Sequence, residues 1–316
     1  MLIHKLLSIV GKILSKNKLN ILIYHQVFAE KNAMRPSEPD AAEFKWQMQL
    51  INQYFTPLSL SAALKHLDNN TLPANAICIT FDDGYINNLE VAAPILKKID
   101  IPATVYIATG FSCGENMFND RVIDLVGNED LSILQLQAID EDAIKLSNIE
   151  QRIKAAHHVL AKIKYLPIAS RKKVIDTLYQ DNSASESAAK MMTDEQIMLL
   201  YQNGMEIGGH TVSHPIMAKT PGKQLIKEVK DNKLALENLL NTPIRFFAYP
   251  NGKPLLDYLP EQVQMISDKG YQAAVSTQWG VADNNSDFFQ LPRFTPWDKN
   301  SIKFMGRMIL MYLRNE

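Results

Sequence analysis

The chain has 316 residues, 46% of them hydrophobic, and its 33 basic and 34 acidic side chains leave a formal net charge of −1. That length and apolar content suffice for one large α/β domain or two small ones, while so even a charge balance gives no global field for nucleic acid or another polyanion. Two cysteines, Cys78 and Cys113, are too few for a disulfide framework.

The first eighteen residues, "MLIHKLLSIVGKILSKNK", are apolar but interrupted by Lys5 and Lys12, and no small-residue cleavage site follows, so they do not read as a secretory leader. No stretch reaches the roughly 18 uninterrupted apolar residues of a membrane span. Wound at about 100° per residue, the segment gathers Leu2, Ile3, Leu6, Leu7, Ile9, Val10, Ile13 and Leu14 on one side and Lys5, Lys12 and Lys16 on the other. This basic amphipathic helix is expected either to pack on its own domain or to make peripheral contact with an anionic membrane. "SIKFMGRMILMYLR" at 301–314 has a similar mixture. Without a leader, the expected location is cytoplasmic, at the membrane surface if the helix docks there.

From residue 19 onward short β-rich runs alternate with helical patterns. Strands are predicted at 20–27, 76–81, 103–109, 205–210, 244–250, 272–277 and 288–294, and helices at about 42–53, 59–69, 87–98, 193–203, 222–240 and 260–269. Most of the strands are almost continuously apolar, as strands buried on both faces of a parallel sheet must be. Thr193 followed by Gln196 forms a capping-box signal, and "SLSAAL" another helix start. Such alternation predicts a closed or nearly closed (β/α) barrel over 19–316. Residues 111–192 break the rhythm and read as a helical insertion, with 181–190 as its most flexible loop.

"TFDDGY" sets Asp82 and Asp83 side by side where the apolar run "ANAICI" ends. Two adjacent carboxylates repel unless something cationic sits beside them. Of the seven histidines, His4, His66, His157 and His158 fall in helical stretches, whereas His210 and His214 of "GGHTVSHP" follow the apolar "MEI". Pro215 disfavours a helical conformation at His214, which places the pair on a loop or single turn leaving the strand. Two imidazoles and one carboxylate suffice to hold a catalytic zinc with a position left for water, and the same donors suit other first-row divalent ions. Barrel strands deliver their C-terminal ends to one face, so the two motifs can share an ion.

In this order and at strand ends, "TFDDGY", "HTVSHP" and "RFFAYPNG" resemble the first three motifs of the polysaccharide deacetylases, the NodB-homology or carbohydrate esterase family 4 enzymes. The resemblance covers about 19 to 295 apart from the insertion. It implies a distorted (β/α)7 barrel, a carbohydrate substrate, and metal-dependent removal of N-acetyl groups from N-acetylglucosamine-type sugars of a polysaccharide or its precursor. It further implies that Asp83, His210 and His214 bind the metal, that Asp82 is the general base, that Arg245 orients this base, and that the backbone N–H of Tyr249 faces the oxyanion.

The chain departs from the family pattern in its late motifs. It has no histidine after residue 214, and His25 in "LIYHQV" is the available general acid, as in a permuted subset of exopolysaccharide-type members; the first and last strands of a barrel are neighbours. No clear Asp-x-x-Asp-Trp motif follows, and Arg293 of "LPRF" is a candidate for bracing the site. Competing expectations are hydrolysis of other non-peptide C–N bonds and a non-catalytic carbohydrate-binding relative. An iron oxygenase would share the ligands, but such sites sit in antiparallel jelly rolls.

Overall fold

The computed structural model describes residues 2–313, so Met1 and Arg314, at the outer ends of the two expected amphipathic stretches, lie outside the described residues. Among the described residues there are nine strands: β1 (Asn20–Tyr24), β2 (Thr56–Pro57), β3 (Ala76–Phe81), β4 (Ala103–Ile107), β5 (Ile133–Leu134), β6 (Ile144–Lys145), β7 (Glu206–Gly209), β8 (Phe246–Ala248) and β9 (Ala273–Val275). The helices are α1 (Leu2–Leu14), α2 (Ala41–Tyr54), α3 (Leu60–Asp68), α4 (Ala93–Lys98), α5 (Phe118–Gly127), α6 (Ile149–Ile163), α7 (Ile168–Asp181), α8 (Asp194–Gln202), α9 (Gly222–Leu240), α10 (Pro260–Asp268) and α11 (Ser301–Met311). The described residues fall into two compact units, one built from those up to Lys31, Ser37–Cys113 and those from Met192 to Leu313, the other from Asn32–Pro36 and Gly114–Met191.

In the first unit β1, β3, β4, β7, β8 and β9 pair in that order, with β2 beside β3, to give a seven-stranded sheet. Every pairing in it is parallel. The strands are buried along nearly their whole length, and helices cover the sheet, as a NodB-like (β/α) barrel requires. Leu22, Phe44, Ile79, Phe81, Val105, Phe247 and Phe294 lie in its main core, where each fully buried side chain of this size contributes about 1.5–3 kcal/mol.

The run at 288–294 is not the continuous seventh strand that its apolar sequence predicts. Leu291 exchanges hydrogen bonds with the β9 side, its N–H donating to Ala274 O and its carbonyl accepting from Ser276 N, whereas Phe294 bonds Ile21 and Ile23 of β1. Pro292 stands between them without an N–H, so no single ladder can run through. The segment instead crosses from β9 to β1 and laces the barrel shut.

Two helix starts carry the caps that their sequences signal, a third is capped by Asp40, which the sequence reading did not single out, and "TPGKQL" ahead of α9 supplies no side-chain cap. Thr193 and Gln196 cap α8 reciprocally, Ser59 accepts from Ala62 N ahead of α3, and Asp40 accepts from Glu43 N ahead of α2. The stretch predicted as one helix at 87–98 is a wide π-type turn over Asn88–Ala92 leading into α4. Helix α1 belongs to the barrel unit and packs beside α11 and α2.

The second unit occupies most of the predicted insertion but is not wholly helical, because β5 and β6 form a short antiparallel pair. Its own core gathers Val122, Leu125, Leu134, Val159, Ile163 and Leu178 from α5, α6, α7 and β5. Arg35, from the separate 32–36 segment, is tied into it by buried ion pairs with Asp120 at 2.6 Å and Asp124 at 3.0 Å.

Candidate metal centre and active site

His25, Asp82, Asp83 and His210 each lie one or two residues beyond the C-terminal end of β1, β3 or β7, so parallel pairing brings them to one face of the barrel. The buried Asp83 Oδ1 lies 3.3 Å from His210 Nε2 and 3.4 Å from His214 Nε2. It has no hydrogen-bond partner in the described structure. The candidate ligand atoms of Asp83, His210 and His214 all fall within 4.8 Å of one another.

The chemistry of these donors tests whether a cation fits. His210 Nδ1–H donates to Ala248 O at 2.7 Å, which leaves Nε2 as a lone-pair acceptor in the neutral ring. Nε2 then faces another acceptor, the Asp83 carboxylate oxygen. Two acceptors at this separation are held together only by a positive charge between or on them, and an N,N,O set suits a divalent ion. These residues could therefore hold a divalent metal. Burial alone would raise the Asp83 carboxyl, but the facing His210, His214 and His25 outweigh it and hold the group well below the ordinary carboxylate range.

The local backbone is shaped for this convergence. Asp83 and His214 both adopt left-handed conformations, with φ of 76° and 51°, which are uncommon for non-glycine residues. His214 is followed by Pro215, which disfavours the right-handed helical alternative. The turn carrying the two histidines is pinned from α9: Glu228 accepts from the N–H groups of Val212 and Ser213 and from the Ser213 hydroxyl. Asn232, fully buried in the same helix, accepts from His210 N and donates to Ile107 O, Thr109 Oγ1 and Thr211 O. A Cβ at Gly209 would meet Asn232 Oδ1 at 2.6 Å and Tyr271 Oη at 2.5 Å, so only glycine lets the strand pass here. Asn232 escaped the sequence reading, although it interrupts the buried stripe Leu225, Val229, Leu236, Leu240 of α9 with a polar residue.

Asp82 is engaged quite differently. Arg293 grips it bidentately, Nη1 to Oδ1 and Nη2 to Oδ2, both at 2.7 Å. The guanidinium is itself fully buried and fixed by Nε–H donation to Ser276 O and by Thr80 Oγ1. Burial raises the Asp82 carboxyl, but the charge and hydrogen bonds of Arg293, then His210 and His25, bring it below its usual value.

Arg245 does not reach Asp82. It is exposed, just before β8 begins, lining a shallow cleft with Glu206, Tyr201 and Pro243. A residue ahead of a parallel strand sits at the N-terminal rim, away from the face where the motifs converge, which excludes it from orienting that base. The Tyr249 N–H is likewise committed, donating to Val275 O at 3.2 Å, so it does not supply the expected oxyanion contact. The Tyr249 ring is buried against Tyr258, with centroids 3.8 Å apart, and its hydroxyl donates to Phe289 O.

His25 is half-buried, and its imidazole makes no hydrogen bond among the described residues. The loop carrying it is held by Asn88 Nδ2, which donates to His25 O at 2.8 Å. Burial would lower the His25 imidazole, but Asp83, Glu38 and Asp82 more than offset this, and it is raised despite the opposing Arg293.

This barrel and its motif set define a NodB-type protein. The family model for polysaccharide deacetylases matches residues 69–274, and the chain belongs to that family. It is 23% identical over 276 residues to YxkH of Bacillus subtilis, a protein named as a polysaccharide deacetylase, covering 87% of this chain and 70% of that one. A shorter stretch of 116 residues is 30% identical to the poly-β-1,6-N-acetyl-D-glucosamine N-deacetylase of Staphylococcus aureus, covering 36% of this chain and 38% of that protein. Among solved structures, the Streptococcus pyogenes deacetylase PplD superposes with a TM-score of 0.61 at 22% identity, over 92% of this chain and 98% of that one. IcaB from Ammonifex degensii gives 0.57 at 17% identity, over 92% and 97%. At such identities these two likenesses concern the fold.

Proposed function

We propose that this chain is a metal-dependent N-deacetylase that frees acetate from N-acetylglucosamine units of a polysaccharide or its precursor. The observation that carries the proposal is the Asp83 oxygen without a hydrogen-bond partner between two imidazole nitrogens, next in sequence to a second carboxylate gripped by Arg293. The named activity of the Staphylococcus aureus relative supports the sugar class.

Asp83, His210 and His214 would hold the ion, with zinc the best match to two imidazoles and a carboxylate. When bound, the ion supplies an activated water and polarises the scissile carbonyl. Asp82, kept ionised and oriented by Arg293, accepts the proton of the attacking water as the C–O bond forms. His25, on the same face, donates a proton to the departing amine as the C–N bond breaks, so the products are acetate and a free amino sugar.

Acetate release from N-acetylated β-1,6-glucosamine oligomers tests this. Chelation should abolish release and added zinc restore it. Release indifferent to chelator, or none from any N-acetylglucosamine oligomer after zinc loading, would overturn the proposal.

A further inference from the structure

A helix that covers a globular domain buries its apolar stripe. Helix α1 does the reverse. Its small and polar side is turned inward: Ser8 and Gly11 are buried, as is Ser15 just past its end, Ser15 Oγ accepts from Asn75 N at 2.8 Å, and Asn75 Nδ2 donates to Ser8 O at 3.2 Å. A Cβ at Gly11 would lie 2.6 Å from Asn75 Oδ1, so this close seating depends on glycine. Of the apolar set only Leu7 and Leu14 touch the core. Leu2, Ile3, Leu6, Ile9, Val10 and Ile13 point outward, with Leu2 83% and Ile13 73% exposed. Neighbouring α11 adds exposed Ile302 and Leu310, and Leu313 follows it.

The charge around this surface is one-sided. At about 100° per residue, Lys5 and Lys12 lie along one edge of the outward apolar arc, and Lys16 stands in the turn just beyond α1; all three are exposed and without an ion pair among the described residues. Exposed Lys303 adds a fourth cation, and neither α1 nor α11 contains an acidic residue. Beside them, a cleft of about 620 Å³ holds Trp46 and Tyr54 among polar residues such as Gln49, Gln53 and Asn300, and Trp and Tyr are types that gather at membrane–water interfaces; its Lys299 is paired with Glu43 at 2.8 Å.

From this we infer that the α1–α11 surface docks on the anionic face of a lipid bilayer, α1 lying in the interface with its apolar arc among the acyl chains and its lysines at the headgroups. The contact is peripheral, since no helix among the described residues is long and apolar enough to cross a membrane. A second copy of the chain is the less fitting occupant, because a two-fold pairing doubles the lysines of this face and α1 and α11 bring no acidic residue to offset them, whereas anionic headgroups neutralise them.

Co-sedimentation of the full chain with vesicles tests the assignment. Binding is expected to phosphatidylcholine–phosphatidylglycerol vesicles, at least tenfold weaker to phosphatidylcholine alone, and weakened further by salt. Leu6→Glu/Ile9→Glu/Ile13→Glu should abolish binding while acetate release from soluble oligomers is unchanged. Lys5→Glu/Lys12→Glu/Lys16→Glu should abolish only the preference for phosphatidylglycerol, with an unaltered thermal melt. The inference is overturned if the folded wild-type chain ignores anionic vesicles, or if sedimentation velocity finds a dimer that the first triple variant dissociates. Because the readout is binding, failure here leaves the deacetylase proposal standing.

Discussion

Arg293→Met separates the two arginines most sharply. Arg293 is fully buried and donates two 2.7 Å bonds to Asp82, a third to Ser276 O and a fourth contact to Thr80 Oγ1. Methionine fills similar space but strands a buried carboxylate, and breaking one side of a buried pair costs about 3–5 kcal/mol. The pH dependence has a definite sign. With its pKa depressed, Asp82 contributes stability that is present above the unfolded value of about 3.9 and lost as pH falls through the folded one. Without Arg293 the largest opposition to burial is gone and the pKa rises, so that contribution shrinks. At neutral pH a larger share of Asp82 is protonated. We expect kcat/KM to fall by about 10²–10⁴, the usual contribution of a positioned general base, and the acid limb of the pH–rate profile to move upward. Arg293→Lys should fall between, since a point charge cannot reproduce the two-pronged grip. Arg245→Met should leave both rate and limb unchanged. Wild-type kcat/KM with an unmoved acid limb in Arg293→Met, measured on folded protein by acetate release, would refute the reasoning.

His25→Gln should lower kcat by about 10²–10³ while leaving zinc affinity, read by calorimetry, as in the wild type. Asn232→Ala removes the buried brace of the histidine turn; each group left unpaired costs about 1–3 kcal/mol, so the melting temperature should drop, and zinc affinity should weaken about 10–100-fold as the ligand's support is lost. Gly209→Ala drives a methyl into Tyr271 Oη and Asn232 Oδ1, an overpacking worth about 1–3 kcal/mol, whereas Gly222→Ala, with open space around it, should melt like the wild type.

The strand–helix alternation and the convergence of Asp82, Asp83, His25, His210 and His214 were legible because parallel strands share a direction, so a motif just after an apolar run must reach the common face. The same rule, applied to Arg245, argues against it: it precedes β8, while Arg293 lies within the run that laces β9 to β1, between Leu291 and Phe294. Tyr249's N–H was lost to pairing with β9, a register that depends on three-dimensional closure rather than on local pattern. Pro292 was the visible sign that 288–294 could not be an uninterrupted strand. Periodicity revealed the apolar arc of α1 but not its direction, because direction depends on which side the rest of the molecule accepts, and here Asn75 accepts the side bearing glycine and serine.

Zinc counted per chain after equilibration and gel filtration, for the wild type, Asp83→Asn and Asp82→Asn, tests the central claim most directly. The account predicts a stoichiometric ion in the wild type, its loss in Asp83→Asn, and its retention in Asp82→Asn together with loss of acetate release. Equal zinc in all three proteins, or none in the wild type, would contradict it.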